Sequence, residues 1–266
     1  MDFVTGEILC VDKPLGWTSF DAVKRLRGAL VRRLGVKKFK IGHAGTLDPL
    51  ATGVLIVCTG KATKRIDTLQ AGRKEYVATL QLGATTPSFD LETSIDATYP
   101  WEHITEESVR EKLATFTGHI LQVPPVFSAV KIEGERAYEK ARRGEDVALK
   151  AKPLQIDEME LVAFDPPMLT IRCVCSKGTY IRALARDIGA SLGSGAHLTA
   201  LRRTRVGDYS AAEALSVEAA VDLIRNCPLS FPDDYQVSPR AHIVPERQEA
   251  RDKIQDSPQR HQSGEA

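Results

Sequence analysis

The 266-residue chain has no apolar run close to the roughly 18 residues that a membrane-spanning helix needs. Its first residues include Asp2 and Glu7 and lack the basic start and apolar stretch of a signal peptide. We therefore expect a cytoplasmic protein that does not enter a membrane. Its five cysteines are odd in number and lack CxxC spacing, which predicts buried reduced thiols and argues against a disulfide framework or a zinc site.

The usual signatures of cofactor and metal chemistry are also missing. Gly60-Lys61 resembles the end of a phosphate-binding loop, but Ala62 occupies the place of the Ser or Thr that would bind magnesium. Gly193-Ser194-Gly195 lacks the third glycine of a dinucleotide fingerprint and follows a predicted helix instead of a strand. The six histidines form no HExxH or HxxxH pair, and no GxSxG segment is present. These absences remove the obvious support for nucleotide binding, for metal-dependent hydrolysis and for hydrolysis by a reactive serine.

Charge is balanced over the whole chain but unevenly distributed. There are 36 basic and 35 acidic residues, so the net charge of +1 gives no global reason to expect a polyanionic partner. Residues 22–40, however, contain eight of the basic residues and no acid, while the remaining 28 bases face 35 acids. This basic segment is consistent with a solvated helix face and with a polyanion contact, and its composition does not choose between them.

Hydrophobic periodicity predicts strands and helices in irregular alternation. One helix is predicted between a cap at Thr18 or Ser19 and a stop at Gly35. Its apolar row consists of Phe20, Val23, Leu26 and Leu30. Strands are predicted at residues 7–12, 54–58 (buried on both faces), 76–82 and 169–175, and further helices at residues 61–70, 105–116, 136–143, 181–192 and 216–225. With 42% hydrophobic and 27% charged residues, this order favours a folded α+β domain over a doubly wound one.

The densest run of turn-forming residues is Gly-His-Ala-Gly-Thr-Leu-Asp-Pro-Leu-Ala-Thr-Gly at residues 42–53. Three glycines, one proline and two threonines in this run predict a loop that holds something close to its backbone. Asp48 precedes Pro49, which restricts it to extended geometry and so to a narrow range of directions. Taken by itself, the pattern is more typical of an Asx-Pro turn than of a reactive site.

Five blocks in order along the chain resemble those of the TruB family of tRNA pseudouridine-55 synthases. Residues 42–53 resemble the catalytic motif of that family. The other blocks are residues 11–19 (its KPxGxTS segment), 74–76 (its basic-X-Tyr strand), 124–131 with 137–142, and 175–182 (its CSKGTYIR segment). The resemblance covers about residues 7–207, and a chance coincidence of five ordered blocks is not credible.

The resemblance implies a mixed, largely antiparallel central sheet flanked by helices and long loops, the pseudouridine synthase fold. It also implies isomerisation of uridine to pseudouridine in the T-loop of tRNA, without a cofactor or a metal. The bond from the base to C1′ breaks, and the base is rejoined through C5. By resemblance Asp48 is the nucleophile, since a carboxylate is ionised at neutral pH and can leave again. Attack on C1′ of the ribose and attack on C6 of the base both remain open.

The resemblance gives roles to further side chains. Arg182 is expected to pair with Asp48 and keep it charged, although it could form an ordinary surface ion pair. Tyr76, by default a core aromatic, is expected to stack on the target base with its phenol as a proton acceptor near C5. His43 is expected to fill the space that the extracted base leaves in the RNA. Other expected RNA contacts are the pocket walls Tyr180 and Leu201, phosphate contacts from Lys13 and the basic segment, and a flexible insertion with Lys131, Arg136 and Arg143.

The chain departs from the family pattern in two places. Residues 86–90 read Thr-Pro-Ser-Phe-Asp where many members have Thr-Asp-Thr-x-Asp, so a different RNA contact is expected there. After about residue 207 little resembles the RNA-binding PUA module that many members carry. We expect a catalytic domain over residues 1–210, a short helical extension over residues 211–244 and a disordered tail over residues 245–266.

The expected partner is the T-arm of tRNA, bound by a monomer that needs no protein partner. Two alternatives remain. An RNA chaperone that opens and refolds tRNA would tolerate the loss of Asp48 but not the loss of Lys24, Arg25 or Arg27. A guide-RNA-dependent synthase shares the Gly-Thr-Leu-Asp-Pro segment but would normally carry a PUA module and partner-binding extensions.

Overall fold

A ten-stranded sheet forms the centre of the computed structural model, which describes residues 1–128, 131–132, 135–136, 143 and 149–241. Within these residues the strands are β1 (Ile8–Lys13), β2 (Ile41–His43), β3 (Ala51–Thr59), β4 (Lys74–Leu82), β5 (Ala84–Thr85), β6 (Ala97–Thr98), β7 (Gly118–Gln122), β8 (Lys131–Ile132), β9 (Glu135–Arg136), β10 (Lys152–Asp165), β11 (Met168–Cys175), β12 (Ala196–Val206), β13 (Tyr209–Ser210) and β14 (Leu215–Ser216). The helices are α1 (Ser19–Leu34), α2 (Ile66–Ala71), α3 (Glu106–Thr115), α4 (Ile181–Ser191) and α5 (Val217–Asn226), and Gly60–Arg65 is a 3-10 helix.

The sheet is mixed but largely antiparallel, which confirms the predicted α+β class. Its strand order is β14-β1-β3-β12-β4-β11-β10-β7, with β2 paired to β3 and β13 paired to β12. Among the described strands, the parallel pairs are β1 with β14 and β3 with β12. None of the described helices has the length and hydrophobicity to cross a bilayer.

The pairing of β12 with β3 and β4 brings several predicted site residues together at the centre of this sheet. Leu201 of β12 pairs with Ala51, the first residue of β3, on one side and with Ala78 of β4 on the other. Two residues further along, Arg203 pairs with Gly53 and with Tyr76. The end of the glycine-rich segment and Tyr76 are therefore held on either side of one strand.

Strand β3 is buried on both faces, as its wholly apolar sequence predicts. Leu55 and Val57 pack in a core with α1 and α5, whereas Val54, Ile56 and Cys58 pack in a second core on the opposite face. A strand covered on both sides needs no polar face, which explains why apolar and polar residues do not alternate along β3.

Helix α1 has the predicted bounds, and three residues of its predicted apolar face, Val23, Leu26 and Leu30, are buried, but the fourth is not. Thr18 caps it with a reciprocal bond to Asp21, and Gly35 ends it in the left-handed conformation at φ 63°. Phe20, predicted to be buried, is 59% exposed. The reason is that α5 packs against the side of α1 that carries Ala22, and residues two apart lie about 200° apart around a helix. Arg33 of the basic segment is buried instead of solvated, and its Nη2 donates to the carbonyl of Cys227 at 3.0 Å.

Several other boundaries differ from the sequence-based expectation. Residues 42–43 and 51–53 belong to strands, so the glycine-rich loop is shorter than predicted and covers residues 44–50. Residues 61–70 form a 3-10 helix followed by α2 instead of one helix. Strands β10 and β12 were not predicted, because the first alternates poorly and the second contains consecutive arginines.

The prediction of a helix at residues 136–143 is only partly testable. Arg136 lies in a strand, Arg143 lies in a turn, and residues 137–142 lie outside the described part of the chain. The predicted tail at residues 245–266 also lies outside it. The helix predicted at residues 216–225 is confirmed as α5, which packs on α1, while β14 pairs with β1 in the central sheet.

Replacing Gly53 with alanine should destabilise the fold strongly. Gly53 has φ 101°, and a Cβ there would lie 2.1 Å from the carbonyl oxygen of Arg203. We expect a loss of about 3 kcal/mol or more in the free energy of unfolding, measured with urea. Gly207→Ala is the matched control, because Gly207 also has a positive φ but would meet no atom within 4 Å, and it should cost about 1 kcal/mol. Equal losses for the two variants would contradict this account of Gly53.

Candidate active site

A cleft of about 660 Å³ opens where the loop at residues 44–50, the start of β4 and the start of α4 meet. We call this loop the Asp48 loop. The cleft lining includes Thr46, Asp48, Lys74, Tyr76, Phe127, Lys177, Tyr180, Arg182 and Leu201. Its volume is in the range of typical ligand sites. The structure thus brings together Asp48, Tyr76, Tyr180, Arg182 and Leu201, which the sequence predicts as site residues.

The central contact of the cleft is an ion pair between Asp48 and Arg182. Oδ2 of Asp48 lies 3.0 Å from Nε of Arg182. The side chain of Arg182 is 7% exposed and that of Asp48 is 43% exposed. The guanidinium therefore forms the floor, while the carboxylate is presented to the cleft. This is not an ordinary surface pair, because one partner is almost completely desolvated.

Arg182 is held in place by two distant segments. Its Nη1 donates to the carbonyl of Ser88 at 3.2 Å and its Nη2 donates to the carbonyl of Phe127 at 2.9 Å. Asp90 adds a second carboxylate, with Oδ2 3.7 Å from Nε of Arg182. Residues 86–90, where the sequence departs from the family pattern, therefore contribute to the position of the guanidinium.

Tyr76 points from β4 into the same cleft. In β4 the even-numbered residues, including Tyr76, are buried and the odd-numbered residues are partly exposed, which confirms the predicted strand. Burial raises the pKa of the Tyr76 phenol, and the nearby Arg203 guanidinium opposes that effect. The phenol is therefore neutral at physiological pH, so the ring offers a stacking surface and a hydroxyl that can donate a hydrogen bond.

The Asp48 loop is tied to the start of α1. The Ser19 hydroxyl accepts from the backbone N–H of Leu47 at 2.8 Å and donates to the carbonyl of Leu47 at 3.1 Å. The backbone N–H of Gly16 donates to the carbonyl of Pro49 at 2.9 Å. These bonds bracket Asp48 and limit the directions in which its side chain can point.

Lys13 has a structural position and not the predicted phosphate contact. It is 0% exposed, and its Nζ donates to the carbonyls of Pro14, Trp17 and Pro49 at 2.9, 2.6 and 3.4 Å. A cation that is enclosed by three carbonyl oxygens cannot reach an external phosphate. Burial lowers its pKa to about 8, an effect that the nearby Asp48 carboxylate opposes.

Arg203 holds the opposite side of the Asp48 loop, and the sequence did not predict it as a site residue. It is 2% exposed, and its guanidinium donates to the carbonyls of Val54, Gly45 and Thr46 at 2.8, 3.1 and 3.4 Å. Two buried cations, Lys13 and Arg203, thus fix one short loop from two sides. The planar guanidinium suits Arg203 to three acceptors in different directions.

The remaining predicted site residues have different positions. Tyr180 caps α4 and exchanges backbone hydrogen bonds with the Gln122 side chain, and burial raises the pKa of its phenol. His43 lies at the end of β2, directly before the Asp48 loop, and is not part of the cleft lining. Its Nδ1 is buried with no hydrogen-bond partner in the described residues, and burial lowers its pKa. Lys131 lies in β8, and its side chain is outside the described part of the structure.

Lys74 is a further cleft residue that the sequence pointed to only as part of a motif. Its Nζ donates to the carbonyls of Gln70 and Gly72, and burial lowers its pKa to about 8. Lys177, in contrast, is exposed on the lining of the cleft. In the described residues, no three His, Cys, Asp or Glu side chains are placed to hold a metal ion.

Comparison with known proteins gives two family matches and close relatives. A profile described as "TruB family pseudouridylate synthase (N terminal domain)" matches residues 32–181. A profile described as "tRNA pseudouridylate synthase B C-terminal domain" matches residues 182–229. A tRNA pseudouridine synthase B of Phocaeicola vulgatus is 67% identical over 219 residues, which cover 82% of this chain and 93% of that protein. The protein of the same name in Parabacteroides distasonis is 65% identical over 224 residues, which cover 84% of this chain and 95% of that protein.

The fold is also similar to that of a more distant solved structure. A chain of a Cbf5-Nop10-Gar1 complex superposes with a TM-score of 0.64 at 30% identity. The superposition covers 84% of this chain and 55% of that one. The present chain thus spans nearly the whole length of the two relatives but only about half the length of this solved chain.

Replacing Arg203 with methionine should cost far more stability than replacing its neighbour Arg202. The first change removes the donor from one buried and two part-buried carbonyl oxygens and empties a buried site, and we expect a loss of about 3 kcal/mol or more in the free energy of unfolding. Arg202→Met is the matched control. Arg202 precedes Arg203 on β12 and forms a half-exposed ion pair with Asp12 of β1, so this substitution should cost about 0–1 kcal/mol. Urea unfolding of both variants tests this, and a smaller loss for Arg203 than for Arg202 would contradict it.

The burial of Lys13 predicts a pH-dependent contribution to stability. The unfolded chain keeps the Lys13 proton up to about pH 10.5, whereas the folded chain releases it near pH 8. Because the unfolded state binds more protons in this window, the stability of the wild type should rise with pH relative to Lys13→Met. Urea midpoints at intervals between pH 7 and pH 10 measure the difference, with Lys112→Met, an exposed lysine, as the control for the chemical change alone. If the free energy of unfolding of the wild type minus that of Lys13→Met stays constant or falls as the pH rises, Lys13 is not buried as described.

Proposed function

Because the chain belongs to the TruB family of pseudouridylate synthases, and is therefore an isomerase, we propose that it converts uridine 55 in the T-loop of tRNA to pseudouridine. Its close relatives are tRNA pseudouridine synthases of nearly the same length, which supports tRNA as the substrate class. We further propose that it acts in the cytoplasm as a monomer, without a guide RNA.

The observation that carries this proposal is the Asp48–Arg182 pair at the floor of a cleft that also contains Tyr76. A nucleophilic carboxylate must be both accessible and ionised. The cleft meets the first need by leaving Asp48 partly exposed, and the buried guanidinium 3.0 Å away meets the second by stabilising the negative charge. The buried guanidinium also stabilises the carboxylate when it leaves again, after the base has turned.

The chemistry divides into bond changes that this geometry can serve. The Asp48 carboxylate bonds to C1′ of the ribose or to C6 of the base, and the N1–C1′ bond breaks. The base then turns within the cleft, the C5–C1′ bond forms, the carboxylate leaves, the C5 proton is lost and N1 takes up a proton. Atoms balance without a cofactor, since pseudouridine is an isomer of uridine. Both routes use the same carboxylate and the same guanidinium.

Tyr76 is proposed to hold the base during these steps. Its ring lies in the cleft wall, and the buried aromatic surface can stack on a uracil. The raised pKa keeps the phenol protonated, so it can take the C5 proton only if it passes its own proton on at the same time. Tyr180 and Leu201 form the remaining walls beside Asp48.

The target uridine must leave the RNA stack before it can enter this cleft, which costs a few kcal/mol. His43 directly precedes the Asp48 loop, and we propose that it occupies the space left by the base. Lys13 is enclosed by carbonyls, so Lys177, on the exposed side of the lining, is the better candidate for a phosphate contact near the target nucleotide.

A guide-RNA-dependent activity is less well supported. The solved chain that resembles this one does so at 30% identity and is covered over only 55% of its length, whereas the tRNA pseudouridine synthases match at 65–67% identity over almost their whole length. The chaperone alternative rests on the basic segment alone and would make the buried Arg182 and the presented carboxylate unnecessary.

Replacing Asp48 with asparagine should abolish pseudouridine formation while leaving the fold and tRNA binding intact. Asparagine keeps the shape of the side chain but is not a nucleophile. The assay incubates the purified full chain with an unmodified tRNA transcript, without metal or guide RNA, and maps pseudouridine by its carbodiimide adduct.

Asp67→Asn is the matched control, because Asp67 is an exposed carboxylate on α2 and should leave the yield unchanged. Modification by the wild type at a position outside the T-loop would reject the substrate assignment. Full activity of the Asp48 variant would reject the nucleophile, and a requirement for added guide RNA would favour the guide-dependent alternative.

A further inference from the structure

A second, open groove of about 550 Å³ runs along the outer face of α1, outside the cleft. It is lined by Gly16, Trp17, Asp21, Lys24, Arg25, Gly28 and Arg32. We call it the α1 groove. None of the roles assigned to the cleft uses its basic side chains, which belong to the basic segment whose composition is consistent both with a solvated helix face and with a polyanion contact.

The basic side chains of the α1 groove form no close ion pairs. Lys24, Arg25 and Arg32 are exposed, and within the described part of the chain none of them lies within 4.0 Å of a carboxylate oxygen. The acid that lines the groove, Asp21, is engaged in the cap of α1, where Oδ2 accepts from the Thr18 backbone at 2.9 Å and from its hydroxyl at 2.6 Å, and the nearby Lys24 helps to lower its pKa. The groove therefore presents three exposed cations and a single acid that is already engaged.

The stability of α1 does not account for this arrangement. Basic residues in the last turn of a helix interact favourably with its dipole, which covers Arg32 but not Lys24 and Arg25 in the middle of the helix. Lys24 and Arg25 follow Asp21 by three and four residues, a spacing that favours a helix only slightly. Exposed cations beyond what the helix needs, on a protein whose remaining residues are net acidic, indicate a binding surface.

Gly28 supports the same conclusion. Glycine inside a helix costs roughly 0.5–1 kcal/mol relative to alanine, and Gly28 is not needed for a turn or a positive φ. It lies between Lys24 and Arg32, one helical turn from each, and forms the floor of the groove. The missing side chain lets a ligand approach the helix backbone between two cations.

The α1 groove begins at the catalytic cleft. Gly16, at one end, donates its backbone N–H to the carbonyl of Pro49 next to Asp48, and Thr18 lines the cleft itself. The helical part of the groove runs from Asp21 to Arg32, a span of about 17 Å at 1.5 Å per residue. A polymer whose reactive unit occupies the cleft can therefore continue directly into the groove.

We propose that the α1 groove binds the phosphate backbone of the tRNA outside the target nucleotide. This inference rests on the proposed function for the identity of the polymer. The unpaired cations match a chain of phosphates, the glycine floor allows close approach, and the start at Pro49 aligns the groove with the site of reaction. It gives the enzyme a second anchoring surface on the RNA.

The test neutralises the groove in the full-length chain. The triple variant K24Q/R25Q/R32Q is compared with R110Q/K112Q/R225Q, which removes the same number of exposed charges from α3 and α5. Binding of an unmodified tRNA transcript is measured by fluorescence anisotropy at several salt concentrations. We expect the Kd of the groove variant to rise at least tenfold at 0.1 M salt, and the slope of log Kd against log salt to fall by about 2–3, since each lost phosphate contact removes about 0.9.

The control variant should change the Kd less than threefold and leave turnover unchanged. A groove variant whose Kd stays within twofold of the wild type, or a control that weakens binding as much, would overturn the proposal. Thermal unfolding is followed in parallel, and the unfolding temperature of the groove variant should stay close to that of the wild type, since the three side chains are exposed and form no close ion pair in the described residues. If the triple variant does not fold, K24Q and R25Q are measured singly, and each should lower the salt slope by about 1.

This outcome is separable from that of the proposed function, because binding is measured without turnover and can be repeated with Asp48→Asn in place of the active chain. A weakened groove variant of an enzyme that modifies another position would still support the surface. An unaffected groove variant of an enzyme that modifies uridine 55 would reject the surface and leave the reaction in place.

Discussion

A reactive carboxylate in a cleft is useful only if the backbone that carries it cannot move. In this protein the constraint is met by two buried cations whose donors point at backbone carbonyls. Lys13 and Arg203 approach the Asp48 loop from opposite sides, and together they engage the carbonyls of four residues in or beside it. Burying a cation is costly unless its donors are satisfied, so each can remain only while the loop keeps its conformation.

Positive charge serves different purposes at different depths of this molecule. The enclosed cations Lys13 and Arg203 organise backbone and cannot touch a substrate. Arg182 is almost as deeply buried, yet one of its nitrogens faces the presented carboxylate, so it links the scaffold to the chemistry. Within the described residues, the exposed cations Lys177, Lys24, Arg25 and Arg32 form no ion pair closer than 4.0 Å and are free to meet a polyanion. Burial and partners, and not residue type, separate these roles.

Much of the site was predictable because its residues form an ordered set of short motifs. Asp48, Arg182 and Tyr76 are distant in the chain, and the structure places all three in one cleft. Lys13 was predicted wrongly, because a lysine next to a reactive loop has the same sequence appearance whether its amine points outwards or inwards. Phe20 was predicted wrongly for a similar reason, since the face of α1 that becomes buried depends on where α5 packs.

The sequence by itself determined the class of fold, the bounds of α1, α4 and α5, the buried β3 and the resemblance that singles out Asp48, because these follow from local periodicity, caps and contiguous motifs. Only the tertiary structure decided that Arg203 and not Arg202 supports the loop, that Asp90 lies near the Arg182 guanidinium, and that the α1 groove begins beside the cleft. Neighbouring residues of a strand point to opposite faces, and which face meets the loop is settled by the pairing of β12 with β3 and β4. That pairing joins segments more than a hundred residues apart and leaves no local trace in the chain.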